Sequence, residues 1–267
     1  MSVDKTRVLA EMGIKPLWRL REPLAQPARA EESIALAPEP MRERAPDPIP
    51  AMQPELAQIV RQLATQSVLE TETSGVSALG WEELSSTVAD CRACGLCKAR
   101  KQAVFGVGDR QADWMFVGEG PGAEEDERGE PFVGQAGKLL DAMLEASGLK
   151  RGEKVYIANA VKCRPPGNRT PEADEIAACR PYLDRQIELV KPKLLIALGR
   201  PAAQALLGRE MSIASARGKL HQYAHAGGAI PVVVTYHPAY LLRNLPDKAK
   251  AWVDMCFAAD TIAQSRD

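Results

Sequence analysis

Four short apolar runs alternate with longer amphipathic segments from Asp113 onward. Each run is continuous and rich in aliphatic residues, which is typical of strands that are buried on both faces. The pattern therefore predicts four strands, at Trp114–Val117, Val155–Ala158, Leu194–Leu198 and Val232–Val234.

The segments between these runs have helical spacing. Gln135–Ser147 places four apolar side chains on one helical face and is followed by a glycine. A second helix is expected after Thr170 as N-cap, with Pro171 at its first position, and others from Pro201 and over Ala249–Ile262. Strands alternating with helices predict an α/β fold, whose central, mostly parallel four-stranded sheet is covered by helices on both faces.

Three distinctive sequences follow predicted strands, at Gly118–Gly122, Asn159–Asn168 and His237–Asn244. Ligands of parallel sheets bind beyond the carboxyl ends of the strands, so we expect a binding crevice here. The amides of the glycine turn suit an anionic or carbonyl oxygen, although a plain tight turn is the simpler interpretation. His237 taken alone is compatible with either a binding or a structural role.

The first part of the chain has a different composition. Residues 1–54 contain nine of the twenty prolines and no sustained apolar periodicity, so they bury too little apolar surface to offset chain entropy. We predict a disordered, Pro-rich extension over residues 1–80, with one amphipathic segment at Glu55–Leu69, and a folded domain over residues 81–267. No run approaches the roughly 20 apolar residues of a membrane span.

The formal net charge of −1 conceals an asymmetry. Residues 1–84 carry 9 Lys and Arg against 13 Asp and Glu, so the folded part is mildly basic. Such a balance permits a nucleic-acid partner without requiring one.

Four of the six cysteines form two separated pairs: Cys91 with Cys94, and Cys163 with Cys179. Soft ligands from remote segments are what a four-thiolate metal or iron-sulfur site needs. Four unrelated buried cysteines are the alternative. A disulfide framework suits the chain less well, because we see no secretory leader and expect a reducing, cytoplasmic location. Cys97 and Cys256 lack matching spacing and are expected to be dispensable.

Several motifs occur in order between about Leu84 and Phe257. They are Cys91-x-x-Cys94, Gly118–Gly122, Pro131–Gly134, Tyr156–Asn159, Lys162–Arg169, Arg217–Lys219 and His237–Asn244. Together they resemble the motifs of the family 4 uracil-DNA glycosylases, the iron-sulfur branch of that superfamily. The resemblance implies a three-layer α/β/α fold, a 4Fe-4S cluster, and excision of uracil from DNA as part of base excision repair.

The resemblance also implies residue roles. The cluster ligands fall on Cys91, Cys94, Cys163 and Cys179. The uracil contacts fall on Gly120, Phe132, Asn159 and His237, with Glu125 beside the base and Glu119 and Asn168 near the sugar.

These residue types suit the implied chemistry. A glycosylase must extrude its target nucleotide, and Phe132 offers an apolar face to the flipped ring. The amide of Asn159 can accept from uracil N3–H and donate to O4, a pattern that cytosine does not match. His237 and the glycine-turn amides can stabilise the departing uracil anion. The Glu125 side chain is expected to occupy the space that a thymine methyl group would need.

The chain differs from other branches of the superfamily at two places. Gly120 stands where they carry an Asp that handles the water, so we expect Glu119 or Asn168 to position it. Residues 164–169 contain no histidine, whereas a related branch uses one there to form a covalent DNA adduct, so ordinary hydrolysis is expected.

Two alternatives stay open from the sequence. One is an inactive iron-sulfur module that binds DNA or senses redox state, although binding alone would not require a complete base pocket. The other is a zinc-bound nucleotide hydrolase, whose four thiolates would leave no open metal position.

The predicted extension contains one candidate docking element. Leu9–Arg21 concentrates apolar residues around Trp18 and is similar to the N-terminal peptide of the clamp-loader psi subunit, with an extra residue before the Trp. It suggests docking to a replication or repair protein, whereas a disordered apolar end is the plainer interpretation. We otherwise expect a monomer.

Overall fold

A six-stranded sheet lies at the centre of the computed structural model, which describes residues 75–225 and 227–264. The predicted segments Glu55–Leu69 and Leu9–Arg21 lie outside the described residues. In chain order the strands are β1 Val107–Gly108, β2 Trp114–Gly118, β3 Val155–Asn159, β4 Leu194–Leu198, β5 Leu220–His225 and β6 Gly228–Thr235.

The spatial order of the strands is β1-β3-β2-β4-β6-β5. The four central strands run parallel and contain the four predicted runs, so the predicted fold class is confirmed. The sheet has six strands rather than four, because β1 and β5 add antiparallel edges. Neither edge strand has a continuous apolar run: β1 has only two residues, and β5 has a single buried residue, Tyr223.

Eight α-helices are present in the described part of the chain. They are α1 Trp81–Asp90, α2 Ala123–Arg128, α3 Gln135–Ala146, α4 Ala173–Val190, α5 Arg200–Leu207, α6 Ile213–Ala216, α7 Pro238–Leu241 and α8 Asp247–Gln264. No helix among these residues is long and apolar enough to cross a membrane.

Alternate residues of the parallel strands pack against helices on opposite faces of the sheet. Met115 and Val117 of β2 belong to a cluster that includes Leu183 of α4. Phe116, between them, belongs to the opposite cluster with Leu140 of α3 and residues of α8. Fully burying each of these large side chains contributes about 1.5–3 kcal/mol, so both helical layers are held to the sheet. The arrangement is the predicted three-layer α/β/α.

The start of α4 differs from the prediction. We expected Thr170 as N-cap and Pro171 as the first helical residue, but the helix begins at Ala173 and Glu172 is its N-cap. The Glu175 carboxylate decides this start, because it accepts from the Glu172 amide at 2.8 Å and from the Arg169 guanidinium. Thr170 and Pro171 are thereby left free to line the cavity described below.

Residues 75–80 fall within the extension expected from the sequence. Gly75–Ala78 form a 3-10 turn, and the side chains of Val76 and Leu79 pack against the core. The Arg185 guanidinium donates to the Leu79 carbonyl at 2.8 Å. These contacts attach the segment to α4.

Candidate functional site

A cavity of about 670 Å³ lies beyond the carboxyl ends of the parallel strands. Gly118 and Asn159 are register partners at the ends of β2 and β3, and His237 follows β6 by two residues. All seven predicted pocket residues border this cavity: Glu119, Gly120, Glu125, Phe132, Asn159, Asn168 and His237. The topology therefore brings together residues that are up to 118 positions apart in the sequence.

Phe132 supplies a buried aromatic wall. Its backbone adopts φ 56, a left-handed conformation that is uncommon for a bulky residue, and its carbonyl accepts from the Arg151 guanidinium at 2.9 Å. A Cβ atom at position 137 would lie 1.8 Å from that carbonyl oxygen, so the chain requires Gly137 there. The Phe132 ring stacks on the imidazole of His237, with 5.4 Å between centroids. Backbone and ring contacts together fix the orientation of this wall.

Gly118 permits a close approach of Asn159 and Phe132 to the end of β2. A Cβ atom there would lie 2.4 Å from Asn159 Oδ1 and 2.5 Å from Phe132 Cζ. Both distances are too short for a contact with a Cβ atom. The end of β2 must therefore be a glycine if the amide and the ring are to meet beside it.

Asn159 carries an unpaired acceptor. The residue is 2% exposed, and its Oδ1 is the only buried side-chain oxygen or nitrogen without a hydrogen-bond partner among the described residues. An unsatisfied buried polar atom costs about 1–3 kcal/mol, so its retention at a cavity indicates a ligand donor.

His237 borders the cavity and has one ring nitrogen in a backbone hydrogen bond. Its Nδ1 accepts from the Ala239 amide at 3.1 Å and caps α7, so the proton of the neutral ring lies on Nε2. Burial, together with the Arg243 guanidinium, lowers the pKa of His237 to about 4, against a weaker opposing effect of Glu125. The ring is therefore a neutral N–H donor at physiological pH.

The carboxylate of Glu125 is held by the backbone. It accepts from the amides of Gly122, Val133 and Gly134 at 3.0–3.1 Å. These bonds join the glycine turn to the segment that follows Phe132. Glu125 is consequently a rigid part of the pocket wall.

Glu119, Gly120 and Asn168 lie on the side of the cavity formed by the loops after β2 and β3. Burial raises the pKa of the Glu119 carboxyl, while a hydrogen bond with Thr170 and the charge of Arg200 act in the opposite direction. Asn168 is exposed, and its Oδ1 accepts from the Arg164 guanidinium at 2.7 Å. A Cβ atom at Gly120 would meet Val161 Cγ2 at 2.8 Å, so the turn packs too tightly for a larger residue without movement.

Arg217 anchors the segment that carries His237, a role that the sequence motif did not reveal. Its guanidinium donates to both carboxylate oxygens of the buried Asp254, each at 2.9 Å. It also lies 5.3 Å from the ring centroid of Tyr236, which stacks on Tyr240. Asp254 lies on α8, 37 residues after Arg217, and nothing in the sequence indicates that the two side chains pair.

The four paired cysteines border a second, smaller cavity. Cys91 and Cys94 follow α1, Cys163 follows β3, and Cys179 lies on α4. Cys97 also borders this cavity, whereas Cys256 is exposed on α8.

Sulfurs of the paired cysteines accept hydrogen bonds from surrounding residues. Arg100 Nη1 donates to Cys163 at 2.8 Å, the Lys162 amide to Cys179 at 3.2 Å, and the Tyr182 hydroxyl to Cys91 at 3.2 Å. Burial raises the pKa of Cys179 to about 12, so a thiolate there requires a metal centre in addition to these donors.

The cysteines do not converge on a single ion. In residues 75–225 and 227–264, no three His, Cys, Asp or Glu side chains are grouped closely enough to hold one metal ion. A multi-iron cluster makes a different demand, because each thiolate binds its own iron at a corner of a larger centre. Four cysteine thiolates match the donor set of such a cluster.

Comparisons with known proteins agree with this geometry. The sequence profile of the Uracil DNA glycosylase superfamily matches residues 105–259, which include all seven pocket residues. Three similar proteins are named Type-4 uracil-DNA glycosylase. That of Sulfurisphaera tokodaii is 47% identical over 168 residues, covering 61% of this chain and 76% of the relative. That of Pyrobaculum aerophilum is 46% identical, covering 61% and 85%, and that of Saccharolobus solfataricus 49%, covering 61% and 77%.

Proposed function

Because the chain belongs to the uracil DNA glycosylase superfamily and to its type-4 branch, we propose that it hydrolyses the N-glycosidic bond of uracil in DNA and leaves an abasic site. The observation that carries this proposal is the buried, unpaired Oδ1 of Asn159. Uracil offers an N3–H donor to such an acceptor, whereas the corresponding nitrogen of cytosine is itself an acceptor.

Recognition follows from extrusion of the nucleotide into the cavity. The flipped base lies against Phe132, which provides an apolar face, and Asn159 accepts from N3–H while its amide nitrogen donates to O4. Glu125, held by three backbone amides, forms the wall that excludes a methyl group at C5. A rigid wall matters because an apolar pocket alone discriminates a methyl group by only about 10–200-fold.

Bond cleavage places negative charge on the departing uracil and positive character on the sugar. The neutral His237 donates Nε2–H toward the base oxygen O2, where the charge accumulates, without giving up its proton. One such preorganised donor typically contributes about 100–1,000-fold in rate. Glu119 or Asn168 positions the water that attacks the sugar.

We also propose that Cys91, Cys94, Cys163 and Cys179 hold a 4Fe-4S cluster. The hydrogen bonds from Arg100, Lys162 and Tyr182 to sulfur support charged thiolates at this place. When bound, the cluster supplies a rigid cross-link rather than electron transfer, since glycosidic hydrolysis is not a redox reaction. Its ligands join the end of α1, the loop after β3 and α4.

We propose that residues 81–267 form the glycosylase domain, and that residues 1–80 form an extension whose Leu9–Arg21 segment docks to a replication or repair protein. The contacts of Val76 and Leu79 attach the end of this extension to the domain. We further propose that the protein is monomeric and cytoplasmic.

An excision assay tests the proposed activity. Single-stranded and duplex oligonucleotides with one uracil should yield alkali-labile abasic sites, while thymine and hypoxanthine at the same position serve as controls. His237→Ala should lose about 100–1,000-fold in single-turnover rate. Absence of abasic sites with iron-loaded wild-type protein on both substrates would refute the activity.

A further inference from the structure

Lys162 is a buried lysine without a carboxylate partner. It is 1% exposed, and no ion pair involves it among the residues that the structure describes. Its ammonium donates to the main-chain carbonyl of Asn159 at 2.9 Å and to Gln186 Oε1 at 2.5 Å. A buried charge is normally paired, so this one requires a compensating negative group nearby.

Gln186 is fixed in the orientation that receives the ammonium. The side chain is fully buried, and its amide nitrogen donates to the Phe105 carbonyl at 2.9 Å and to the Tyr156 hydroxyl at 3.2 Å. The amide oxygen therefore faces Lys162. This arrangement leaves the Asn159 carbonyl as the second acceptor of the ammonium.

The same residue contacts the four-cysteine site. The backbone amide of Lys162 donates to Cys179 Sγ at 3.2 Å, and Cys163 is its neighbour in the chain. Lys162 also borders the small cavity that the four paired cysteines line. No other residue of the described chain donates hydrogen bonds to both Asn159 and a paired cysteine.

We propose that Lys162 is a positioning residue that links the four-cysteine site to the uracil pocket. Its charge is balanced by the cysteine thiolates, and its ammonium holds the Asn159 carbonyl, so that the unpaired Oδ1 stays directed at the base. This inference rests on the proposed uracil excision and on cluster binding, and it gives the cluster a structural effect on base recognition.

Lys162→Met tests the link, because Met keeps the unbranched shape but removes both the charge and the donor. We expect the single-turnover rate of uracil excision to fall about 10–100-fold, as for loss of one charged hydrogen bond. Affinity for the same DNA should be unchanged, since Lys162 is buried and its replacement changes no exposed group. The reduction potential of the cluster should become more negative, because the oxidised cluster carries less negative charge and suffers less from losing a nearby cation.

Two further variants complete the experiment. Lys193→Met is the matched control. Lys193 is an exposed lysine that directly precedes β4 and pairs with Asp113, so its replacement should leave the excision rate and the reduction potential at wild-type values. Lys162→Gln keeps an N–H donor without the charge, so it should shift the potential like Met but retain more of the excision rate. Lys162→Gln also leaves fewer buried acceptors without a donor than Lys162→Met does. If Lys162→Met does not fold, the reduction potential of the cluster in Lys162→Gln tests the link instead.

The outcomes separate this inference from the proposed function. Lys162→Met that excises uracil at the wild-type rate, or either neutral variant with a wild-type potential, would overturn the link even if the melting temperature falls. A lower melting temperature alone means that Lys162 only stabilises the fold. Wild-type protein that contains iron but releases no uracil refutes the proposed function instead.

Discussion

Asn159 is the residue on which uracil recognition depends most directly. Its buried Oδ1 has no hydrogen-bond partner in the described residues. Asn159→Asp keeps the size and shape of the side chain but replaces the amide nitrogen that would donate to uracil O4 with a second oxygen. We expect a loss of at least about 2–3 kcal/mol toward uracil, or roughly 30–150-fold in single-turnover rate. Weak cytosine excision should appear as the pH falls, because a protonated Asp can donate to cytosine N3.

A control lies outside the cavity. Asn244→Asp changes the same chemistry at a residue whose amide donates to the Tyr240 carbonyl, and it should leave uracil excision nearly unaltered. Equal uracil rates for Asn159→Asp and the wild type would show that the base is read elsewhere.

His237 gives a prediction about pH. Its pKa of about 4 lies below the ordinary value of 6.5, so the ring stays neutral as the pH falls from 8 to 5. The single-turnover rate should therefore show no inflection near pH 6.5 that depends on His237. Measuring the profile for the wild type and His237→Gln checks this. An inflection near 6.5 that disappears in the variant would mean that the imidazolium form takes part.

The raised pKa of Glu119 affects the single-turnover rate at low pH. Burial raises the pKa of its carboxyl above the ordinary 4.5, so the ionised form is lost earlier than usual as the pH falls. If ionised Glu119 positions the water, the rate should decline with acidification, and this decline should be absent from Glu119→Gln, whose rate is low throughout. An identical acid limb in both proteins would assign the titration to another group.

Helix α3 and the segment before it, which contains Phe132, together hold the aromatic wall of the pocket. A methyl group at Gly137 would meet the Phe132 carbonyl oxygen at 1.8 Å, so Gly137→Ala must displace the aromatic wall. Since misplacement of about 1 Å can cost about 100-fold, we expect a comparable fall in single-turnover rate. Gly75→Ala, where nothing lies within 4 Å of the new methyl group, is the control and should retain full rate. A fully active Gly137→Ala would mean that Phe132 needs no fixed position.

The strands that could be predicted from the sequence are those whose burial on both faces imposes a continuous apolar run. Strands β2, β3, β4 and β6 are buried on both faces, so their apolar runs identified them. Strand β5 has one buried residue among six and pairs only with β6, so its mixed polar and apolar sequence carried no comparable signal. The start of α4 was misplaced because Thr170-Pro171 has the composition of a helix start, whereas the Glu175 carboxylate caps two residues later.

The pocket was more predictable than its supports. Its residues lie in motifs that follow strands, and parallel topology brings strand ends together. Lys162 was not recognised as a buried charge, because a lysine in a polar run is normally exposed and only the fold placed it beneath Asn159. The pairing of Arg217 with Asp254 likewise depends on α8 packing beside β6.

At the scale of the molecule, the cluster should determine whether the fold is stable. Cys179→Ala should lose iron, visible absorption and several degrees of melting temperature, because it removes one cluster ligand and with it the cross-link between α1, the loop after β3 and α4. Cys256→Ala, at an exposed cysteine, is the control and should retain all three. Iron analysis, absorption spectra and thermal unfolding of both variants check this. A stable, colourless Cys179→Ala protein with full activity would show that the cluster is not needed.

The extension should be separable from excision. Deleting residues 1–74 keeps Val76 and Leu79 on the core, so excision on short oligonucleotides should stay within about twofold of the full chain. Further removal to residue 80 also takes away the Leu79 carbonyl that Arg185 contacts, and should lower the melting temperature. Loss of folding on removing only residues 1–74 would place part of that segment in the core.

The most direct measurement compares uracil with N3-methyluracil at one position of the same single-stranded oligonucleotide. Under single-turnover conditions, mass spectrometry of the released base should detect free uracil and an abasic site from the first substrate only. The methyl group removes the N3–H that the unpaired Asn159 Oδ1 is there to accept. Equal release of both bases, or release of neither, would contradict the account.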